Sequence, residues 1–218
     1  MTALRNLCTP YIRFRMLVTI ALVMLATGCY LPARFDAEIS LSRFGAYDIK
    51  FQGYMAEINL FDQLKKNKIT PEEEKKKGAT LKKDFERDSS TKSFEYFKQG
   101  FFKVVWQKSG DILKTGMVVF FRRNENILSI SYVKKKSQIT ILAAPIGPER
   151  AKTLINMGLN MQGQLRIRTD ANVVSNNATS QGVPKNPRSP QEKLYTWDIK
   201  SVSDPSPRLI ATLSRPCQ

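Results

Sequence analysis

Hydrophobic and polar residues alternate in several stretches of the chain, and this period of two is typical of β-strands with one face on a core. The clearest cases are residues 34–41 and 47–52. A turn containing Gly45 separates them. Two alternating runs on either side of a glycine-containing turn predict a β-hairpin near the N-terminus.

Similar runs between residues 93 and 142 predict an antiparallel meander, because strands at intervals of about 8–12 residues with turns between them are typical of such a sheet. Its strands are expected at 93–98, 101–108, 112–123, 127–133 and 138–142. C-terminal strands are expected at 164–169, 195–199 and 209–213. Residues 176–193 are rich in Asn, Ser, Gly and Pro, which predicts a flexible loop.

Three segments are predicted to be helices: residues 55–66, 71–87 and 148–158. The second follows Thr70 and has Glu73 in its first turn, which is the pattern of a capping box. Together these elements predict the α+β class, as a single domain over residues 34–214. Its mainly antiparallel sheet would consist of the N-terminal hairpin, the central meander and the C-terminal strands. The three helices would pack on or beside this sheet, which would curve over them to form an apolar cleft or a docking surface.

The N-terminal segment has a different pattern, an unbroken apolar run over residues 16–26. Arg5, Arg13 and Arg15 precede this run, and no acidic residue occurs before it. A basic head, a short apolar middle and a small-residue exit are the parts of a secretory signal. The run is shorter than the roughly 20 apolar residues that a transmembrane helix needs.

The run ends in Thr27-Gly28-Cys29, and the whole segment resembles the signal of bacterial lipoproteins, with Ala26 where the usual pattern has Leu. The resemblance implies a signal peptide over residues 1–28, a diacylglycerol thioether and an acyl chain on Cys29, and a tether over residues 29–33. It implies a cell-envelope protein whose partner is the membrane: the periplasmic face of the outer membrane in a Gram-negative cell, otherwise the outer face of the cytoplasmic membrane. An uncleaved anchor and an ordinary signal cut near Ala26 are the alternatives.

The charge of the chain is strongly positive, with 35 basic and 19 acidic residues and a formal net charge of +16. Such a charge suits nucleic acid, but an exported protein meets little of it, so anionic lipid headgroups or acidic polymers are the expected counterparts. The alternative is that the positive charge only forms a solvated surface and binds no particular partner. The candidate contacts are Arg122 and Arg123 at the end of one predicted strand and Lys134, Lys135 and Lys136 at the end of the next. Whether the hairpin gathers them along one edge or separates them stays open.

The chain contains no histidine, which excludes Ser-His-Asp and Cys-His catalysis and histidine-ligated metals. Of its three cysteines, Cys8 leaves with the signal and Cys29 would carry lipid, so only Cys217 remains and no intrachain disulfide is expected. No catalytic residue, metal site or cofactor is predicted. Carboxylate-pair hydrolysis and lysine chemistry remain possible without histidine, and a carboxylate-dependent hydrolase is the enzymatic alternative.

Two segments carry a second resemblance. The hairpin AEISLSRFGAYDIKFQGYM, and the later IRTDANVVSNNATS followed by LYTWDIKSVSDPSPRLIATL, resemble the LppM-type domain of bacterial lipoproteins over residues 34–213. The matching positions are Asn176, Asn177 and Trp197, which would otherwise be turn residues and a core side chain.

The resemblance implies an α+β lipoprotein domain suspected of handling lipid, without known catalytic residues. The predicted function is therefore a lipid-anchored, non-enzymatic protein that binds lipid or another amphiphile. The alternative is a structural or assembly lipoprotein that docks on an envelope complex or an acidic polymer through its basic faces.

Overall fold

The structure is a computed structural model that describes residues 30–122 and 125–214. Within these residues the chain forms twelve β-strands in two sheets, together with four α-helices. The predicted signal peptide, Cys29, Arg123 and Cys217 lie outside the described residues. The described strands and helices run from Tyr30 to Thr212.

The larger sheet has seven strands in the order β10-β11-β8-β1-β2-β4-β3. Their bounds are β1 Tyr30–Leu41, β2 Ala46–Glu57, β3 Thr91–Lys98, β4 Phe101–Asp111, β8 Gln162–Thr169, β10 Ser180–Gly182 and β11 Lys193–Ile199. The predicted N-terminal hairpin is confirmed, with Ile39 directly opposite Ile49. Its first strand begins at Tyr30, four residues before the predicted start, and it also pairs in parallel with β8.

The smaller sheet has five strands in the order β5-β6-β7-β12-β9. Their bounds are β5 Met117–Arg122, β6 Glu125–Val133, β7 Gln138–Ala143, β9 Asn172–Asn176 and β12 Arg208–Thr212. The predicted meander is therefore divided, because β3 and β4 belong to the larger sheet whereas β5, β6 and β7 belong to the smaller one.

The helices are α1 Ile58–Lys65, α2 Pro71–Phe85, α3 Ile112–Thr115 and α4 Pro148–Asn156. The count is four where the sequence predicts three, because α3 interrupts the strand expected at 112–123. Asp111 caps this single turn by accepting a hydrogen bond from the Leu113 N–H at 2.9 Å, and Gly116 with φ of 70° ends it. At this turn the chain leaves the larger sheet and enters the smaller one.

The start of α2 confirms the predicted capping box. The Thr70 hydroxyl accepts from the Glu73 N–H at 3.2 Å, and the Glu73 carboxylate accepts from the Thr70 N–H at 2.8 Å. The two bonds satisfy two of the backbone donors that a helix start leaves unpaired.

The core lies between the two sheets. Phe51 and Trp106 of the larger sheet contact Phe120 of the smaller one, with ring centroids 4.7 and 5.0 Å apart. The α+β class and the mostly antiparallel pairing are confirmed, but two sheets face each other, whereas the sequence predicts one sheet curved over helices. A smaller apolar cluster, in which Leu31 and Ala56 pack against Leu154 of α4, closes the sandwich at the start of β1.

None of the helices within residues 30–122 and 125–214 combines the length and the hydrophobicity that crossing a bilayer requires.

Candidate functional site

An apolar cavity of about 330 Å³ lies between the sheets, close to the start of β1. The larger sheet contributes β1, β2, β8 and the end of β11 to its wall, and the smaller sheet contributes β5, β6 and the end of β7. The segments 144–146 and 204–207, helices α1 and α4, Met161 and Val202 complete it. The cavity therefore depends on both sheets and on the loops that connect them.

The alternation of β1 and β2 explains why the cavity wall is apolar. Residues two apart on a strand share a face, and Phe35, Ala37 and Ile39 of β1 all line the cavity, as do Ile49 and Phe51 of β2. The rings of Phe35 and Phe51 stack with centroids 5.9 Å apart and planes at 17°. The stacked pair gives the cavity a flat aromatic wall.

Phe35 has a glycine opposite it in each of the two neighbouring strands. In the sheet, Phe35 lies opposite Gly53 of β2 and Gly163 of β8. A Cβ atom at Gly53 would lie 2.3 Å from the Arg34 carbonyl oxygen, and one at Gly163 would lie 2.4 Å from the Phe35 carbonyl oxygen. Since these contacts are with backbone, only glycine lets β2 and β8 approach β1 where a bulge between Pro32 and Arg34 shifts its register.

Few polar side chains line the cavity: Lys50, Asn126, Arg150, Asp204 and Ser206. The Asp204 carboxylate is engaged, because it accepts from the Lys200 and Ser201 N–H groups at 2.7 and 2.9 Å. It is the single carboxylate among the described residues of the wall, and a carboxylate-pair hydrolase would need two. In the part of the chain that the structure describes, no three Cys, Asp or Glu side chains cluster as a metal site requires. The chemistry of this wall is suited to burying an apolar ligand.

The structure brings together two of the three residues of the LppM-type resemblance. Trp197 is 3% exposed, and its indole N–H donates to Asn177 Oδ1 at 2.9 Å. The same oxygen accepts from the Arg208 N–H at 2.7 Å, and the Asn177 amide donates to the Ser206 carbonyl at 3.0 Å. Asn176 makes a separate turn contact, accepting from the Ala178 N–H at 3.0 Å. Asn177 and Trp197 thus support the 204–207 segment of the cavity wall without lining the cavity.

The described members of the two candidate basic groups, Arg122 and Lys134–Lys136, lie at opposite ends of β6. In the strand register, the backbone of Arg122 lies opposite that of Glu125 beside the β5–β6 turn, whereas Lys134–Lys136 form an exposed 3₁₀ turn after the other end of β6. The nine residues of β6 separate the two groups by about 27 Å, at roughly 3.4 Å per residue. The register therefore answers the question that the sequence leaves open.

The cavity is the feature that the sequence does not predict. Alternation along β1 identifies Phe35, Ala37 and Ile39 as one face, but nothing local indicates that the opposing sheet leaves space beside them. The glycines opposite Phe35 are the one signal available, because a glycine inside a strand indicates a bulge or a close backbone approach.

No protein-family model and no curated protein matches the chain. Among solved structures, it is similar to the NMR structure of the folded domain of the Mycobacterium tuberculosis LppM protein. The TM-score is 0.37 and the identity 11%, over 88% of this chain and 94% of that chain. The neighbour bears the name of the domain type that the sequence segments resemble. At this TM-score the similarity supports no conclusion about function.

Proposed function

We propose that this chain is a non-enzymatic binding protein of the bacterial cell envelope, and that the cavity between its sheets holds an alkyl chain of a lipid or another amphiphile. The observation that carries the proposal is the apolar cavity of about 330 Å³. Small-molecule sites have volumes of roughly 300–1,000 Å³ and mostly apolar walls with a few polar groups. The volume is at the lower end of this range, which suits one alkyl chain better than a whole diacyl lipid.

The wall favours an alkyl chain for energetic reasons. Transfer of a methylene group from water to an apolar site contributes about 0.8 kcal/mol, so a chain of about ten methylenes contributes on the order of 8 kcal/mol before the costs of association. A polar group in the same place would lose its hydrogen bonds to water without a replacement. The headgroup would therefore stay at the rim, where Asn126 and Arg150 are exposed.

The envelope location is part of the proposal and rests on the lipoprotein-type signal and on Cys29. Because β1 begins at Tyr30, a lipid on Cys29 would adjoin the folded domain directly. Tyr30, Leu31 and Pro32 all line the cavity. A lipid anchor would thus hold the cavity at the bilayer surface, where its ligands are.

Binding of a dansyl-labelled fatty acid to residues 30–218 tests the proposal. We expect a rise in dansyl emission that saturates at one probe per protein. Replacement of Ala37 by Phe should place a ring in the cavity and weaken binding at least tenfold. The matched control is Ala79→Phe, because Ala79 is exposed on α2 and outside the cavity.

Ala143→Phe, on the opposite side of the cavity, is the second filling variant. Thermal unfolding by circular dichroism identifies which filling variants remain folded. A folded Ala37→Phe or Ala143→Phe protein with wild-type affinity would contradict the proposal, as would a wild-type protein that takes up no probe.

A further inference from the structure

The end of the sandwich farthest from Tyr30 combines exposed lysines with exposed apolar side chains. We call it the distal pole and define it as the β1–β2 turn 42–45, helix α3 with residues 116–117, the segment 133–137 and residues 213–214. Four backbone hydrogen bonds of 2.8–2.9 Å join these segments: Ile112 N–H to Gly45 O, Tyr132 N–H to Gly116 O, Leu213 N–H to Ser137 O and Ser214 N–H to Arg43 O. The distal pole is therefore one continuous surface.

Three large apolar side chains of the distal pole face solvent. Phe44 is 48% exposed, Met117 is 58% exposed and Val133 is 46% exposed. Met117 lies opposite Ser131, two residues before Val133, so the two side chains share the outer face of the smaller sheet as diagonal neighbours. Such neighbours are about 7–8 Å apart, close enough to enter one apolar environment together.

The charge of the distal pole is positive. Lys114, Lys134, Lys135 and Lys136 are all exposed. The carboxylates nearby already accept hydrogen bonds: Asp111 caps α3, and Asp170 accepts from the Arg43 N–H at 2.7 Å. Four exposed ammonium groups thus share the distal pole with the three apolar side chains.

We infer that the distal pole is a membrane contact that binds an anionic lipid surface. Exposed apolar side chains enter the boundary between headgroups and acyl chains, while the surrounding lysines are attracted to the lipid phosphates. The three apolar side chains come from separate segments of a pole that also carries four exposed lysines, and no residue of the pole lines the apolar cavity. This arrangement suits a fluid surface better than a fixed complementary protein.

The contact is independent of the cavity and would act together with a lipid on Cys29. A diacylglycerol and an acyl chain on Cys29 would anchor the domain at one point, and the pole would add a second contact that fixes its orientation. The twelve residues of β1 place the pole about 36 Å from Tyr30, at roughly 3.3 Å per residue. Contacts at both ends of β1 would lay this strand along the bilayer.

Co-sedimentation of residues 30–218 with phosphatidylglycerol–phosphatidylcholine vesicles tests the inference, with pure phosphatidylcholine vesicles for comparison. The chain offers a charge-matched pair of variants, since Lys75, Lys76 and Lys77 form a second exposed lysine triplet on α2. We expect the triple change of Lys134, Lys135 and Lys136 to Glu to weaken binding to anionic vesicles at least tenfold. The same change at 75–77 should weaken it less than threefold.

A second pair of variants isolates the apolar contribution. Phe44→Ser should weaken vesicle binding, whereas Phe97→Ser, at a phenylalanine that is 54% exposed on β3, should not.

Equal losses from the two lysine triplets would show attraction by net charge alone and overturn the inference. Absence of vesicle binding by the wild-type protein, or capture of polyglutamate in its place, would also overturn it and favour docking on an acidic partner. None of these outcomes bears on fatty-acid uptake by the cavity.

Discussion

One amide oxygen, Asn177 Oδ1, connects the two sheets beside the cavity, because it accepts from Trp197 of the larger sheet and from Arg208 of the smaller one. Asn177→Ala would leave the indole N–H of a buried tryptophan without a partner. An unpaired buried donor costs roughly 1–3 kcal/mol, and we expect the free energy of unfolding to fall by about that amount. Urea unfolding followed by Trp fluorescence measures it.

The matched variant is Asn177→Asp, which keeps the acceptor oxygen but replaces the amide donor to the Ser206 carbonyl by a second carboxylate oxygen, so that bond becomes a repulsion. It should retain more stability than the alanine variant. If Asn177→Ala were as stable as the wild type, the oxygen would not hold the two sheets together.

A buried ion pair predicts how stability depends on pH. Glu192 is 5% exposed and accepts from the Arg188 N–H at 2.7 Å and from the Arg168 guanidinium at 3.0 Å. Burial alone would raise the pKa of Glu192, but the hydrogen bonds and the arginine charges outweigh it, so its pKa is lowered. A carboxyl group with a lowered folded-state pKa stabilises the fold above its ordinary pKa of about 4.3, and this contribution is lost as the pH falls through the lowered value.

Glu192→Gln should therefore destabilise the protein by roughly 1–3 kcal/mol at pH 7. The difference from the wild type should shrink as the pH falls from 5 towards 3. Urea titrations across this range measure the difference. A difference that stays constant with pH would show that the loss comes from packing and not from the carboxylate charge.

At the scale of the element, β1 depends on glycine in both of its neighbours. In Gly53→Ala, the new Cβ would lie 2.3 Å from the Arg34 carbonyl oxygen, so the strands must move apart. Overpacking of this kind costs roughly 1–3 kcal/mol. Because Phe35 lies on the displaced segment, uptake of the fatty-acid probe should fall as well.

Gly182→Ala on β10 is the control, since nothing lies within 4 Å of its added Cβ. We expect it to unfold and to bind the probe as the wild type does. Wild-type behaviour of Gly53→Ala would mean that the two strands tolerate separation and that the glycine has no role in shaping the cavity.

Local signals in the sequence predict elements whose cause is also local. The β3–β4 hairpin is one example, because Gln99-Gly100 form its turn with φ of 51° and 77°, the conformation that tight hairpins need. The capping box at Thr70 is another. Helix α3 is missed because Ile112-Leu113 is apolar in a strand as well as in a helix turn, and the Asp111 cap alone decides between them.

At the scale of the whole molecule, the sequence predicts much less. The parallel pairing of β1 with β8 joins residues more than 120 positions apart, and no local period encodes it. The division of the meander between two sheets follows from the same kind of long-range contact. The cavity depends on the packing of the whole fold, because it is the space that remains where Phe51 and Trp106 pack against Phe120 across the sandwich. The sequence also leaves open how Arg122 and Lys134 lie relative to each other, because their positions follow from the pairing of β5 with β6.

In the proposed function, attachment of the whole molecule to a membrane would depend on Cys29, which adjoins the first residue of β1. The chain supplies its own controls, because it has two other cysteines, Cys8 within the predicted signal and Cys217 near the C-terminus. When the full chain is produced in a bacterium that is fed labelled palmitate, we expect Cys8→Ser and Cys217→Ser to be labelled as the wild type is.

Cys29→Ser should carry no label and should keep residues 1–28 attached, because lipoprotein processing requires the lipid-modified cysteine. Detection of the label by gel and of the cleavage by intact mass distinguishes three outcomes. Label lost in Cys29→Ser alone supports the lipid anchor. Cleavage near Ala26 without label would show an ordinary signal peptide, and an uncleaved, unlabelled wild-type chain would show a permanent anchor. With an ordinary signal peptide, the distal pole would have to hold the domain at a membrane without an acyl chain, and its affinity for the lipid surface would set how long the protein stays there. With a permanent anchor, the uncleaved N-terminal segment would hold the domain, and the pole would only orient it.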